Sequence, residues 1–157
     1  MAIEIERKFL VLNDSYQKES YKKLTIKQGF LNSNYNRVVR VRIIGNKGYL
    51  TVKGKSSEDG TSRFEWEKEI SIEEAFLLLA ICEKGVIEKV RYLIRQGQHI
   101  YEVDEFKINN EGLIVAEIEL SDANEEFAKP SWLGKEVTGI TKYYNSELSN
   151  TPYKSWA

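Results

Sequence analysis

Glu4, Glu6 and Lys8 occupy every second position of the opening run Ile3-Glu4-Ile5-Glu6-Arg7-Lys8-Phe9. Side chains of an extended chain leave opposite faces in turn, so these three charged groups share one face. Ile3, Ile5 and Phe9 share the other. The same alternation returns at Arg40/Arg42, Thr51/Lys53, Arg63/Glu65/Glu67, Lys89/Arg91 and Glu117/Glu119, each pair backed by apolar residues. A single strand of this kind has a simple explanation, a face wetted by solvent. A wetted face usually mixes polar types loosely, whereas these faces are nearly pure in charge, with acidic and basic pairs on different strands.

Strand-like runs cover 3–11, 24–32, 37–44, 49–53, 63–70, 86–95, 100–106 and 113–120. Glycine- and asparagine-rich turns separate most of them, as at Gly45-Asn46-Lys47-Gly48 and Gln96-Gly97-Gln98. Eight strands joined mainly by turns predict a mainly β (α+β) fold, an eight-stranded antiparallel sheet closed into a barrel. With the charged faces inward the barrel has a charged lumen, and a few helices are expected to cover its apolar outside. Ser71 and Glu74 form a capping box that predicts a helix to about Glu83, ended by Gly85, with Phe76 to Ile81 as its buried face. A short helix is expected within 13–23, and short helices and loops after residue 120. No linker or low-complexity tract divides the 157 residues, so residues 1–157 are expected to be one domain.

Composition narrows the function classes. Lysine and arginine number 23 against 24 acids, a net charge of −1, which argues against a general nucleic-acid binder. The lone Cys82 and lone His99 exclude thiolate and histidine-rich metal sites. His99 is expected at the surface or in a pair, and Cys82 in the core. The longest apolar run, Ala75 to Cys82, is too short to span a bilayer, and charge from residue 4 leaves no readable signal peptide. A cytoplasmic protein, with no membrane and no nucleic acid as partner, is the expectation.

A lumen holding Lys8, Arg40, Arg42, Lys53, Arg63, Lys89 and Arg91 beside Glu4, Glu6, Glu65, Glu67, Glu117 and Glu119 needs compensation, because buried charge is costly unless paired or ligand-bound. Guanidinium forks and ammonium groups suit phosphate chains. Carboxylates suit hard cations that share their shell with water and phosphate. The two sets together point to a polyphosphate with a divalent metal.

The chain resembles the CYTH superfamily, or triphosphate tunnel metalloenzymes, in its short bacterial form. The likeness rests on the ExExK motif Glu4 to Lys8, and on "QGFL" at Gln28 to Leu31, "RVR" at Arg40 to Arg42 and "LTVKG" at Leu50 to Gly54. It continues through "RFEWE" at Arg63 to Glu67, "KVR" at Lys89 to Arg91 and "VDEF" at Val103 to Phe106. "GLIVAEIEL" at Gly112 to Leu120, "PSWLGKEVT" at Pro130 to Thr138 and "YYN" at Tyr143 to Asn145 complete it. The resemblance implies hydrolysis of a triphosphate, inorganic or nucleoside, with Mg2+ or Mn2+. It implies substrate contacts from Lys8, Arg40, Arg42, Lys53, Arg63, Lys89, Arg91 and Lys135. It implies metal contacts from Glu4, Glu6, Glu65, Glu67, Glu117 and Glu119, and catalytic roles for Glu4, Glu6, Lys8 and Lys89. Asp104 lies in a family motif without a definite role, and Arg7, on the outer face, is expected to serve neither metal nor phosphate. Two departures, Phe30 where many short members carry tyrosine and Ile140 where an acid is common, bear on substrate preference. An adenylyl cyclase, a thiamine triphosphatase and a non-catalytic polyphosphate-binding module are the alternatives. The oligomeric state stays open, a homodimer included.

Overall fold

Strand β1 (Ile3–Val11) is the stave on which the barrel closes. The structure, a computed structural model, describes residues 3–156. After α1 (Tyr16–Glu19) come β2 (Lys22–Asn32), β3 (Arg37–Ile44), β4 (Lys47–Gly54) and β5 (Ser62–Ile70). Helix α2 (Ile72–Ala80) is followed by β6 (Ile87–Gln96), β7 (His99–Phe106), β8 (Ile114–Glu119), β9 (Leu133–Glu136) and α3 (Asn145–Asn150). The ladder runs β5-β4-β3-β2-β6-β7-β8-β1, every pair antiparallel, and β1 also pairs with β5 to shut the ring. That closing seam is short: Ile3, Glu4 and Ile5 pair with Phe64, Arg63 and Ser62. Beyond it β1 turns to β9, a ninth strand that periodicity did not announce, with Phe9 opposite Glu136.

The inward faces are the charged ones, as the alternation predicts. Apolar residues of the outer face make two separate cores. On β1, β6, β7 and β8, Phe9, Tyr92, Ile94, Tyr101, Val103, Ala116 and Ile118 are covered by Tyr16 of α1 and by Phe127, Trp132 and Leu133. On the opposite side Val41, Ile43 and Leu50 pack under Ala75, Leu78 and Leu79 of α2. The Ser71 capping box is present, its hydroxyl accepting from the Glu74 amide. The helix stops at Ala80 rather than near Glu83. The apolar run is only partly buried: Phe76, Leu77 and Ile81 are exposed, because a helix lying on a sheet covers it with one stripe and these three fall outside it.

A third cluster lies inside the barrel. Leu10, Phe30, Val38, Ile87, Phe106 and Val115 converge from six strands on Leu148 of α3, with Tyr143, Tyr153 and Trp156 around it. Five of these strand residues share parity with the charged lumen residues of their own strands, and Phe30 shares it with the buried Gln28 of β2. This apolar plug closes one end, so the tunnel is a cup with a floor. Arg7 points outward, where its guanidinium binds Glu136 of β9 at 2.6 and 2.8 Å. His99 pairs with Glu125 at 2.6 Å, and Cys82, just past the end of α2 and against Gly29, is half-buried at the edge of the core rather than within it.

Candidate active site

The ring order sorts the lumen charges into two walls. Strands β4, β3 and β6 carry Lys53, Arg40, Arg42, Lys89 and Arg91, β2 between β3 and β6 presents the neutral Gln28, and none of the four carries an inward acid. Strands β7, β8, β1 and β5 carry Glu102, Asp104, Glu117, Glu119, Glu4, Glu6, Glu65 and Glu67, with Lys8 and Arg63 as their only inward cations. The cavity between the walls is about 230 Å³. Every sequence-predicted site residue lines it except Lys135, which is exposed on β9. At the foot of β1 the side of the ring is sealed by loops. There Gly60 and Gly139 lie so close that a Cβ on Gly60 would sit 2.3 Å from the Gly139 Cα.

Asp104 organises one corner of the basic wall. Its carboxylate accepts two hydrogen bonds from Arg91, at 2.8 and 3.0 Å, and lies 2.7 Å from the Lys89 ammonium. Burial opposes this carboxylate's charge, but Arg91 and Lys89 hold it well below the usual carboxylate range. Burial also pulls the Lys89 ammonium down to about 8, despite Asp104. Asn145 Oδ1, at the start of α3, accepts from Lys89 Nζ at 2.9 Å and from Gln28 Nε2 at 2.8 Å. Glu67 gathers the next group, accepting from Thr51 at 2.7 Å and lying 3.5 Å from both Arg40 and Arg42. Burial and the neighbouring Arg91 still leave Arg40 with a lowered pKa, Glu67 notwithstanding. Burial, Arg40 and Arg91 lower that of Arg42. Arg40 Nε, Arg42 Nε and Arg63 Nη2 are buried donors without a protein acceptor among the described residues. Such orphan donors are rare and costly, and an anion satisfies them.

The acidic wall carries the opposite strain. Glu6 and Glu119 are direct cross-strand partners. Burial, then Glu117 and Glu4, raises the Glu6 carboxyl well above its usual range. Burial, then Glu4 and Glu102, raises Glu119, and burial with Glu4 raises Glu65. Glu4 itself is held by Lys53, whose Nζ lies 3.1 Å from both of its oxygens. Glu117 lies 3.5 Å from Lys8; burial works against its charge, and Lys8 and then Arg91 hold it below the usual range. Among the described residues no three acids, histidines or cysteines converge into a ready metal cage. The donor set still fits a hard divalent ion. Such an ion needs one or two carboxylates and completes its shell with water and phosphate oxygens, and it relieves the repulsion around Glu6 and Glu119.

Several cavity residues were not singled out from the sequence. Glu102, 3.2 Å from Arg91, stands two positions before Asp104 and repeats the alternation that marked the other strands. Tyr144, Asn145 and Ser146 reach the cavity from beyond the last periodic strand, where no local pattern points inward.

The sequence matches the CYTH domain over residues 2–152. An inorganic triphosphatase of Acetivibrio thermocellus is 49% identical over 157 residues, covering 99% of both chains. An inorganic triphosphatase of Nitrosomonas europaea is 33% identical over 151 residues, covering 93% of this chain and 96% of that one. A solved structure of an inorganic triphosphatase superposes with a TM-score of 0.65 at 28% identity, covering 93% of this chain and 97% of the other.

Proposed function

The chain belongs to the CYTH domain family, and from that premise we propose that it hydrolyses a triphosphate, inorganic triphosphate first, within the barrel. One observation carries this reading: the lumen divides into a basic wall with unsatisfied guanidinium donors and an acidic wall of mutually repelling carboxylates. Residues 1–157 are read as one triphosphate tunnel domain. A cytoplasmic setting accords with the lone thiol of Cys82.

Arg40, Arg42, Arg63, Lys53, Lys8, Lys89 and Arg91 bind the phosphate oxygens and draw off the charge that grows as the terminal phosphoryl group is transferred. Water attacks the terminal phosphorus, the bridging P–O bond breaks, and orthophosphate and pyrophosphate result. A carboxylate of the acidic wall that is ionised and free of metal would receive the proton that the water loses. Glu4, Glu6 and Glu119 would hold Mg2+ or Mn2+, with Glu65, Glu67 and Glu117 around them. The bound ion would supply Lewis-acid charge at phosphate oxygen and water. Because the floor is plugged, the phosphate chain enters by a free end and any organic group stays at the mouth. Among the described residues Phe30 and Tyr144 are the only aromatic residues lining the cavity, and both are buried, which gives a purine no face within the cup.

The deciding experiment is release of orthophosphate from inorganic triphosphate with Mg2+ or Mn2+, beside ATP with product identification. Cyclic AMP and pyrophosphate from ATP would make the protein a cyclase. Tight triphosphate binding without turnover in either metal would make it a binding module.

A further inference from the structure

Arg63 stands apart from the other lumen cations. Lys8, Arg40, Arg42, Lys53, Lys89 and Arg91 each lie within 4.0 Å of a carboxylate oxygen. Among the described residues Arg63 has no such partner. Glu4, its neighbour across the β1–β5 seam, binds Lys53 instead. Neutral groups hold Arg63. Its Nε donates to the Gly54 carbonyl at 3.0 Å, and its guanidinium carbon lies 5.6 Å from the centre of the Tyr144 ring. Its Nη2 is buried and unpartnered. The same ring stands 4.7 Å from Lys8 Nζ, which also donates to the Tyr143 carbonyl at 3.4 Å. Tyr144 is itself fixed: its hydroxyl lies 3.1 Å from the buried Ser56 Oγ, and its ring stacks on Tyr35 at 5.7 Å.

We propose that Tyr144 is a positioning residue that holds Lys8 and Arg63 on its ring face for phosphate. The proposal rests on the triphosphate reading of the cavity. A ring attracts a cation through its quadrupole and takes none of its charge. A carboxylate at position 144 would hold the same two groups but neutralise them, and so compete with substrate. An aromatic side chain steers both without adding a neutralising charge, so that Arg63 keeps its charge whole and Lys8, among the described residues, shares its own with Glu117 alone. Tyr144 therefore acts through Lys8 and Arg63, two cations from neighbouring strands β1 and β5 that stand within the acidic wall. These are the groups able to carry a phosphate across to the carboxylates.

The test compares Tyr144→Phe with Tyr144→Leu, and with Tyr144→Met should the leucine variant not fold. Calorimetric binding of inorganic triphosphate without metal is measured beside kcat and KM, with thermal melting as a check on folding. Phenylalanine keeps the ring, so its affinity and KM stay within about threefold of wild type. Leucine or methionine lacks the quadrupole, so affinity falls and KM rises by about tenfold, the scale of one desolvated cation–π contact. Equal losses in Tyr144→Phe and Tyr144→Leu would overturn the proposal and assign the effect to the hydroxyl. Unchanged binding in both would overturn it outright. A wild type that binds triphosphate but does not hydrolyse it removes the hydrolytic reading and leaves this one to be judged on binding alone.

Discussion

Glu6 and Glu119 face each other directly across the β1–β8 ladder, and neither carboxylate has a hydrogen-bond or ion-pair partner among the described residues. Like charges in that position destabilise a sheet by roughly 0.2–1 kcal/mol, so the pair makes sense as a site that a cation completes. Glu119→Gln is expected to raise the melting temperature of the metal-free protein, to shrink the further rise that Mg2+ or Mn2+ brings, and to reduce hydrolysis. Melting curves with chelator and with metal check this. A variant that melts lower without metal yet keeps the full metal-induced rise would count against the assignment.

The raised carboxyls also set the pH dependence of the metal-free fold. Glu6, Glu65 and Glu119 titrate above the ordinary glutamate value of 4.5 in the folded chain, so they bind protons more tightly folded than unfolded. Their contribution is fully present below that value and is lost as pH rises through the raised pKa. Asp104 and Glu117 act in the opposite sense and lose their contribution as pH falls through their depressed values. Above 4.5, within the window of the raised groups, Glu6→Gln is expected to flatten the decline of stability with rising pH, read by denaturant unfolding across about pH 4 to 8. A decline as steep in the variant as in wild type would refute the role of Glu6.

Arg40 is buried, bonded to Thr51 at 3.2 Å, and keeps a free Nε. On the proposed function, its removal takes a preorganised donor from the transferred phosphoryl group. By the scale of a lost oxyanion donor, Arg40→Ala costs about 2–4 kcal/mol in the transition state, or roughly 30- to 1,000-fold in kcat/KM. Steady-state kinetics on inorganic triphosphate measure it, and an unchanged kcat/KM would remove Arg40 from the phosphate site.

Lys89 is expected to give the activity an alkaline limit. Burial lowers its pKa to about 8 in the free protein, so phosphate affinity is expected to fall as pH rises past that point. Folding stability moves the other way: the unfolded lysine still holds its proton between about 8 and 10.5, and stability therefore rises with pH across that window. Lys89→Arg, charged throughout, should carry substrate affinity to higher pH even if its absolute value drops. If the KM profile of the variant turned upward at the same pH as wild type, another group would own the limit.

Eight of the strands and their charged inner faces were legible in the sequence because period-two alternation is a local signal, and a charged face repeated on six segments has few ways to be compensated; the ring order that sorts those faces into two walls was not. What escaped it depends on contacts between distant segments. β9 is a four-residue strand whose place is set by Arg7 reaching Glu136 and by the Val137 amide donating to the Lys8 carbonyl at 2.8 Å. Lys135 sits in a family motif, but its position on β9 leaves it exposed. Tyr144 and Asn145 come from a segment with no periodicity at all. The exposure of Phe76, Leu77 and Ile81 was hidden too, since an apolar run does not say how wide a stripe the sheet beneath can accept.

The plug makes a prediction about which phosphate chains are accepted. Leu10, Phe30, Val38, Ile87, Phe106 and Val115 pack with the buried Leu148 in one apolar cluster across that end of the lumen. A linear chain must therefore lead with an unesterified phosphate. Inorganic triphosphate, with two free ends, is expected to be hydrolysed fastest. A nucleoside triphosphate, with one, should be slower and yield the diphosphate and orthophosphate. A triphosphate esterified by nucleosides at both ends carries the same anhydride bonds but has no end to insert, and it should stay intact. Chromatography of the three reactions under one set of conditions decides the matter. Cleavage of the doubly esterified chain at a rate near that of inorganic triphosphate would mean that the floor opens, and that Leu148 leaves its place during turnover.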